Sequence, residues 1–313
     1  MKLRSLTLKT GMPGLLILLS MLYPILAEAA PLSVKQITPG IYVHHGEHKD
    51  LNEGYGGDIC NVGFIIGSKG VAVIDTGGSN KIGIELREAI RKVTRLPILY
   101  VINTHVHPDH ILGNAAFKQD HPVFVGHDNL ANVMAQRKEV YLRNLPQWVG
   151  KDAAGSEVIP PTLLVTTTRE IDLGGRILKL TAYPLAHSPT DISVFDSASK
   201  TLWTGDLLFV ERAPSLDGDI PGWLLAIEQL RAIQATRTVP GHGRVTQDLH
   251  TALADENRYL SILLADVRAA IKQGQSMEET IETAARSEQG KWLLFDVVNR
   301  RNIANLYPKL EWE

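Results

Sequence analysis

The stretch Thr104-His105-Val106-His107-Pro108-Asp109-His110 decides how this sequence is interpreted. It places three histidines and an aspartate within six residues, directly after the apolar run Ile98-Leu99-Tyr100-Val101-Ile102. The apolar run predicts a buried strand, and side chains just beyond a strand end leave the sheet edge, where they can converge on an ion. Imidazole and carboxylate are ligands suited to Zn²⁺, Fe²⁺ or Mn²⁺. The stretch therefore predicts a metal site.

Three further segments each place one potential ligand at a strand end or in a turn rich in glycine and proline. They are Ala186-His187-Ser188-Pro189-Thr190-Asp191, Trp203-Thr204-Gly205-Asp206 and Pro240-Gly241-His242-Gly243. A single histidine in such a turn is more often structural. Four segments of this kind along one chain indicate ligands of a shared site.

Strand and helix patterns alternate around these segments. Alternating or continuous apolar runs predict strands near 40–46, 62–66, 71–75, 98–103, 122–125, 163–172, 176–182, 191–196, 201–204 and 237–240. Apolar residues at helical spacing predict helices over 79–94, 128–141 and 221–235, and from about 247 to the end the pattern is mostly helical. Residues 141–162 predict a long loop of the kind that covers a site. This mixture indicates a layered protein of sheets and helices.

The composition excludes several functional classes. The chain has 313 residues, 44% of them hydrophobic, with 26 Gly and 16 Pro, which excludes a disordered or collagen-like protein. A formal net charge of −2 offers no basic face for nucleic acid. Cys60 is the single cysteine, so neither an internal disulfide nor a cysteine-rich zinc finger can form.

The first 29 residues have the pattern of a secretory signal peptide. Lys2, Arg4 and Lys9 precede an apolar run over 12–26, and Ala27-Glu28-Ala29 follows as an A-x-A cleavage site. We expect cleavage near Ala29 and a periplasmic protein with no membrane span after cleavage. The alternative is an uncleaved N-terminal anchor.

With these segments in this order, the sequence resembles the metallo-β-lactamase superfamily over about residues 37–245. The resemblance implies an α+β fold, a four-layer αββα sandwich with the metal site along one edge of two facing sheets. Residues 246–313 would form a C-terminal helical extension packed on it. The implied ligands are His105, His107 and His187 for a first metal, Asp109, His110 and His242 for a second, and Asp206 as the bridge.

The resemblance implies a metal-dependent hydrolase with two Zn²⁺ per chain. A hydroxide between the two ions would attack an ester, lactone or thioester-type bond of a small-molecule substrate. Asp109 would be the catalytic residue, because it would both bind metal and orient the hydroxide. Thr104, Asp75 and Asp191 stand where they could accept protons from ligating imidazoles.

Differences in the ligand set separate the branches of the superfamily. Its di-iron oxygen-reducing members would carry Glu where this sequence has His107, and its β-lactamases typically carry Cys or Ser where it has Asp206. The sequence therefore resembles these two branches less than it resembles the superfamily members that have the full ligand set. The full set with Asp206 resembles hydroxyacylglutathione hydrolases. Persulfide dioxygenases keep much the same residues around a single iron, so a mono-iron enzyme remains an alternative.

Segments outside the ligands resemble the quinoprotein relay system zinc metallohydrolases. The resemblance rests on 54–64, 71–79, 100–105, 216–219, 222–223 and the terminal Lys309-Leu310-Glu311-Trp312-Glu313. It implies association with a PQQ-dependent dehydrogenase or its cytochrome, and it leaves open a non-catalytic metal-binding accessory protein. Ser188-Pro189-Thr190 departs from the expected pattern, which would have a Thr directly after His187 and a shorter step to the Asp.

Overall fold

The computed structural model describes residues 30–51 and 54–312, so the predicted signal peptide over 1–29 lies outside the described residues. Within them the chain forms two sheets. The first sheet has seven strands in sequence order. They are β1 (Lys35–Thr38), β2 (Ile41–His44), β3 (Val62–Ile66), β4 (Val71–Ile74), β5 (Ile98–Ile102), β6 (Val123–His127) and β7 (Leu163–Val165). Strands β1–β4 pair antiparallel, whereas β4–β7 run parallel.

The second sheet has five strands in the order β12-β11-β10-β9-β8. They are β8 (Thr168–Asp172), β9 (Ile177–Ala182), β10 (Ile192–Asp196), β11 (Thr201–Phe209) and β12 (Arg237–His242). Only the β11–β12 pair of this sheet is parallel. Asp206 lies inside β11 and His242 ends β12, so neighbouring strands bring these two side chains to the same place.

Seven α-helices are assigned within the described residues. They are α1 (Asn80–Val93), α2 (Pro108–Ile111), α3 (Leu130–Val149), α4 (Ile220–Arg231), α5 (Leu249–Lys272), α6 (Met277–Thr283) and α7 (Phe295–Leu310). Helix α1 shows why the apolar spacing produced a helix here. Ile82, Leu86 and Ile90 recur every four residues on its buried face, and the Ser79 hydroxyl caps its first turn by accepting from Ile82 N at 3.3 Å.

The layers stack as helix, sheet, sheet and helix. Between the sheets, Ile74 and Ile102 of the first sheet share a buried core with Val194 and Trp203 of the second. Helix α1 packs on the outer face of the first sheet. Helices α4, α5 and α7 pack in one core with β11 on the outer face of the second sheet. The predicted sandwich with its C-terminal helical region is therefore confirmed.

Two local predictions were wrong. Residues 141–149 continue α3 instead of opening a loop, because Tyr141, Leu145 and Val149 recur every four residues and are buried. The single strand predicted over 163–172 is two strands in different sheets. Val165 pairs with His127 in the first sheet, and Thr168 pairs with Thr181 in the second.

Across the described ranges, 30–51 and 54–312, no helix is both long and apolar enough to span a lipid bilayer.

Candidate metal centre

The histidine-rich stretch lies where β5 ends. After β5, the chain passes through Asn103 and Thr104 into His105, and His107 immediately precedes the short helix α2. Pro108 occupies the first turn of α2, where its fixed φ favours helix entry and its missing N–H breaks no helical hydrogen bond. The tight turn places Asp109 and His110 beside the histidines that precede it.

One group of side chains collects His105, His107, His187 and Asp206, whose ligand atoms all lie within 4.8 Å of one another. The Nε2 atom of His105 is 3.0 Å from Nδ1 of His107 and 3.7 Å from Oδ2 of Asp206. The Nε2 atom of His187 is 3.6 Å from the same carboxylate oxygen. These are the residues predicted for the first metal, together with the predicted bridge.

A second group lies on the other side of Asp206. The Nε2 atom of His110 is 3.2 Å from Asp206 Oδ1, and Nε2 of His242 is 3.3 Å from Asp206 Oδ2. Oδ2 of Asp109 lies 3.4 Å from His242 Nε2 and 3.5 Å from His110 Nε2. The structure thus brings together all seven residues predicted as ligands, with Asp206 between the two groups.

The tautomers of His110 and His187 are set by carboxylates behind them. Nδ1 of His110 donates to Oδ2 of Asp75 at 2.8 Å, and Nδ1 of His187 donates to Oδ1 of Asp191 at 3.2 Å. With the proton on Nδ1, the lone pair of each ring lies on Nε2 and faces Asp206. Both rings therefore present an acceptor to the centre, as metal-ligating histidines do.

The other three rings are also held by a hydrogen bond from the nitrogen that faces away from the centre. Thr104 Oγ1 donates to Asp75 at 2.7 Å, so it accepts from Nδ1 of His105 at 3.0 Å. His242 donates from Nδ1 to the carbonyl of Ile59 at 2.6 Å. His107 is reversed, because its Nε2 donates to Asp217 at 3.1 Å and leaves Nδ1 for the centre.

The donor set fits a divalent cation, because its inward-facing atoms are buried and unsatisfied. Nε2 of His110, Nε2 of His187 and Oδ1 of Asp206 are all buried without a hydrogen-bond partner. An unpaired buried polar atom costs about 1–3 kcal/mol. Imidazole nitrogens and carboxylate oxygens converging in this way suit Zn²⁺ and similar ions. The clusters are therefore able to bind metal.

The electrostatics of the centre favour a neutral ring at His105 and ionised carboxylates at Asp109 and Asp206. Burial and the neighbouring His110 hold the pKa of His105 well below its usual value, which favours the neutral ring. Burial alone would raise the pKa of Asp109, but His110 and His242 outweigh it and lower that pKa. The pKa of Asp206 is lowered for the same reason, by His242, His110 and His105. Both carboxyl groups are therefore ionised at neutral pH.

Cys60 also lies beside the centre, within reach of Asp109 and His110. Its thiol donates to the backbone carbonyl of Asp109 at 2.8 Å, and burial raises its pKa well above the usual value. The sulfur is therefore a protonated donor that supports the α2 turn.

The unusual step from His187 to Asp191 preserves the support for His187. The hydroxyl of Ser188 donates to Oδ1 of Asp191 at 2.8 Å, and the backbone N–H of Ser188 donates to Oδ2 at 2.6 Å. These bonds fold the longer segment so that the Asp191 carboxylate still reaches the His187 ring.

Four residues near the centre were not predicted from the sequence. Asp217 accepts from His107 and also from Nη1 of Arg137 at 2.7 Å. Burial would raise the pKa of Asp217, but hydrogen bonds from His107 and Arg137 outweigh it and hold that pKa far below its usual range. Arg212 and Arg301 line a cavity over the centre, and Asp217 lies in the lining of the same cavity. Their spacing in the chain gives no signal, because they come from α3, the α7 helix and the segment after β11.

The cavity over the centre has a volume of about 190 Å³. Its lining includes Phe209, whose ring stacks on His242 at a centroid distance of 5.0 Å. Two other aromatic side chains nearby do not line this cavity. Trp223 is buried against His187, and Trp148 packs near Tyr141.

A family model described as the metallo-beta-lactamase superfamily matches residues 55–242. Among curated relatives, the Beta-lactamase-like protein 2 homolog of Caenorhabditis elegans is 26% identical over 176 residues, which are 55% of this chain and 52% of that protein. The chain thus spans about half the length of that relative. The Metallo-beta-lactamase type 2 of Bacillus sp. (strain 170) is 25% identical over 226 residues, 70% of this chain and 79% of that protein.

Solved structures show the same fold. A metallo-beta-lactamase from Pontibacter korlensis superposes with a TM-score of 0.59 at 22% identity, covering 74% of this chain and 99% of that one. The stereoselective inverting sec-alkylsulfatase Pisa1 from Pseudomonas sp. gives a TM-score of 0.65 at 16% identity, covering 89% of this chain and 50% of that one. These similarities concern the fold.

Proposed function

Because the chain belongs to the metallo-β-lactamase superfamily, whose members are mostly metal-dependent hydrolases, we propose that it is a hydrolase with two Zn²⁺ ions per chain. Its substrates are small molecules with an ester, lactone or thioester-type bond. The observation that carries the proposal is the convergence of five histidines on Asp206 and Asp109, each ring oriented by a partner behind it.

In this proposal, His105, His107 and His187 would hold one ion, Asp109, His110 and His242 would hold the other, and Asp206 would serve both. Ions at these positions would lower the pKa of a water molecule toward neutrality and polarise the carbonyl of the substrate. The Asp109 carboxylate, ionised and beside both His110 and His242, would orient a water molecule toward the carbonyl carbon.

Hydrolysis adds the oxygen of the water to the carbonyl carbon and breaks the bond from that carbon to the leaving oxygen or sulfur. One proton of the water goes to the leaving group. The buried walls of the cavity, such as Phe209 at 1% exposure, limit the other solvent that reaches the bond.

Export belongs to the same proposal and rests on the N-terminal pattern of basic residues, apolar run and A-x-A site. The association with a PQQ-dependent dehydrogenase or its cytochrome stays a prediction from the resemblance of the segments outside the ligands.

The test is turnover of phenyl acetate, a lactone, a thioester and a chromogenic cephalosporin by the zinc-loaded protein and by Asp109→Ala. We expect hydrolysis of at least one of the first three, reduced by about 100-fold or more in Asp109→Ala. The control is Asp128→Ala, which removes a carboxylate paired with His127 outside the centre. Turnover that survives Asp109→Ala contradicts the mechanism, and turnover of the cephalosporin alone contradicts the proposed bond type.

A further inference from the structure

The C-terminal helical region places a buried acidic side chain behind the metal centre, and the hydrolytic mechanism does not use it. This residue is Glu256 of α5, which is 0% exposed. Its Oε1 accepts a hydrogen bond from the backbone N–H of Phe209 at 2.9 Å, and Phe209 is the last residue of β11. We propose that Glu256 is a positioning residue, which holds the end of β11 so that Asp206 and His242 face the centre. The inference rests on the proposed function.

Glu256 lies in the apolar face of α5. Leu253 and Leu260 precede and follow it at helical spacing, and both are buried in the core that α5 shares with β11. A carboxyl group in such a core costs free energy unless it is hydrogen-bonded. Oε2 of Glu256 is buried without a partner, so the carboxyl contributes here through the bond that Oε1 accepts from Phe209. An apolar side chain would suit the packing of α5 but would leave the N–H of Phe209 without this acceptor.

The carboxyl group of Glu256 favours its neutral form. Burial raises the pKa of Glu256 well above its usual value and outweighs the hydrogen bond from Phe209, and the charge of Asp206 raises it further. A neutral carboxyl still accepts a hydrogen bond through its carbonyl oxygen. The amide of glutamine offers the same oxygen, so Gln can take over this role, whereas a side chain without oxygen cannot.

The end of β11 matters because this strand bulges where it carries Asp206. The pairs that flank the irregular stretch of the β11–β12 ladder are Gly205 with Pro240 and Phe209 with His242. Residues 206–208 therefore lie opposite Gly241 alone, and a bulge of this kind re-aims a side chain. Here the Asp206 carboxylate points to His242, whose Nε2 lies 3.3 Å from its Oδ2. Phe209 closes the bulge, so the position of its backbone sets the position of Asp206.

Phe209 also contacts a predicted ligand directly. Its ring stacks on the ring of His242, with a centroid distance of 5.0 Å and an interplanar angle of 8°. The next residue, Val210, donates its backbone N–H to the carbonyl of His242 at 3.0 Å. The backbone of Phe209 therefore affects both Asp206 and His242, and Glu256 fixes that backbone from the helical layer.

A second side chain from the helical layer holds the same bulge. Nε1 of Trp223 on α4 donates to the backbone carbonyl of Leu207 at 3.2 Å. A bulge disrupts the ladder locally, and side chains of α4 and α5 thus bond to two backbone groups of the bulged stretch. Trp223 also packs on the ring of His187, so its substitution would disturb a predicted ligand directly. Glu256 is the better residue for a test, because its hydrogen bond goes to the backbone of Phe209, which is not a ligand.

The experiment compares zinc binding by Glu256→Met and Glu256→Gln. Met is unbranched like Glu and favours a helix, but it offers only a weak acceptor to the N–H of Phe209. For Glu256→Met we expect at least one of the two zinc-binding steps to weaken by about 10-fold, measured by titration of the zinc-free protein against a chelating dye. Glu256→Gln is expected to bind zinc within about 2-fold of the wild type, because it keeps the acceptor oxygen.

Leu260→Ala is the matched control for lost stability. It removes a fully buried side chain one turn further along the same face of α5, and it is expected to lower the Tm at least as much as Glu256→Met does. Zinc is titrated well below the Tm of every variant, so folded Leu260→Ala should keep the wild-type affinity. Equal weakening in Leu260→Ala and Glu256→Met would make Glu256 a packing residue and overturn the inference. Unchanged zinc binding in Glu256→Met, or equal weakening in Glu256→Gln, would also overturn it.

Turnover separates this inference from the proposed function. If the wild type hydrolyses an ester, we expect kcat of zinc-loaded Glu256→Met to fall by about 10-fold with KM little changed, because the centre is displaced while contacts to the substrate remain. If the wild type binds zinc but hydrolyses no ester, lactone or thioester, the proposed function fails and the zinc titration still decides the role of Glu256. A wild type that binds no zinc overturns both.

Discussion

Oδ2 of Asp75 accepts a hydrogen bond from Nδ1 of His110 at 2.8 Å and another from Oγ1 of Thr104 at 2.7 Å. Through Thr104 the same carboxylate also sets the ring of His105. Asp75 adopts the left-handed backbone region with φ of 54°, a conformation that Asp and Asn tolerate best among residues with a side chain. One residue at the end of β4 therefore orients a ligand in each of the two groups.

We predict that Asp75→Asn folds but binds zinc about 10–100-fold more weakly. The amide of Asn presents N–H where the rings and Thr104 need an acceptor, while Asn keeps the backbone conformation. Zinc affinity is measured by competition with a chelating dye. Asp58→Asn is the matched control, because Asp58 pairs with His44 at 2.7 Å away from the ligands. Equal affinities for both variants would show that Asp75 does not tune the centre.

Asp217 accepts a hydrogen bond from His107, which belongs to the ligand group that also contains His105 and His187. We predict that Asp217→Asn weakens one of two zinc-binding steps by about 10-fold or more and leaves the other step near its wild-type value. Sequential zinc titration of the metal-free protein resolves the two steps. Asp172→Asn, at an exposed pair with Lys69, serves as the control. A uniform loss at both steps would contradict the assignment of Asp217 to a single group.

Gly241 makes room for the Asp206 carboxylate. A Cβ at position 241 would lie 1.9 Å from Oδ1 of Asp206 and 2.8 Å from its backbone nitrogen. Gly241→Ala therefore displaces Asp206, and we predict lower zinc content together with a lower Tm. Gly67→Ala is crowded in a similar way, 2.2 Å from the carbonyl oxygen of Leu173 at another place in the fold. Gly67→Ala should lose stability but keep zinc in its folded fraction. If Gly241→Ala and Gly67→Ala both kept their zinc, Gly241 would not be needed to place Asp206.

Because of the lowered pKa of Asp196, part of the free energy of unfolding is expected to depend on pH. Arg176 donates to Asp196 at 3.1 and 2.7 Å and also to the carbonyl of Ile66, so it joins the two sheets. Burial would raise the pKa of Asp196, but the hydrogen bonds from Arg176 and Ser199 outweigh it and lower that pKa below 3.8. The ionised Asp196 therefore stabilises the folded state fully above pH 3.8. This stabilisation is lost as the pH falls through the lower pKa that Asp196 has in the folded state.

We accordingly predict that Asp196→Asn lowers the free energy of unfolding at pH 7 by about 1–3 kcal/mol. The difference from the wild type should shrink as the pH falls below 3.8. Urea unfolding at a series of pH values measures it. Glu157→Gln, at an exposed pair with Lys118, should change stability little at any pH. If the difference in free energy of unfolding between the wild type and Asp196→Asn grew on acidification, the lowered pKa of Asp196 could not be its cause.

Much of the centre could be predicted from the sequence, because its ligands follow strands. His105 and Asp109 come just after β5, and His242 ends β12, so a strand pattern with a polar end was enough to bring them together. The supporting residues Asp75 and Asp191 were found by the same logic.

The rest depends on tertiary packing that a single sequence does not display. Arg137 and Asp217 meet across 80 residues, and Arg301 reaches the cavity only because α7 packs beside it. The sequence predicts too short a helix α3 because a proline such as Pro146 is typical of a helix end. The buried face of the helix nevertheless continues past Pro146. The division of 163–172 between two sheets depends on pairing partners that local pattern does not specify.

The most direct test of the central claim is the metal content of the protein purified without chelator and without added metal. Elemental analysis is done on the wild type and on Asp206→Ala, which removes the carboxylate between the two groups. The account predicts about two zinc ions per chain in the wild type, as two-metal hydrolytic sites require, and a clear loss in Asp206→Ala. One iron per chain, or zinc content unaffected by Asp206→Ala, would contradict it.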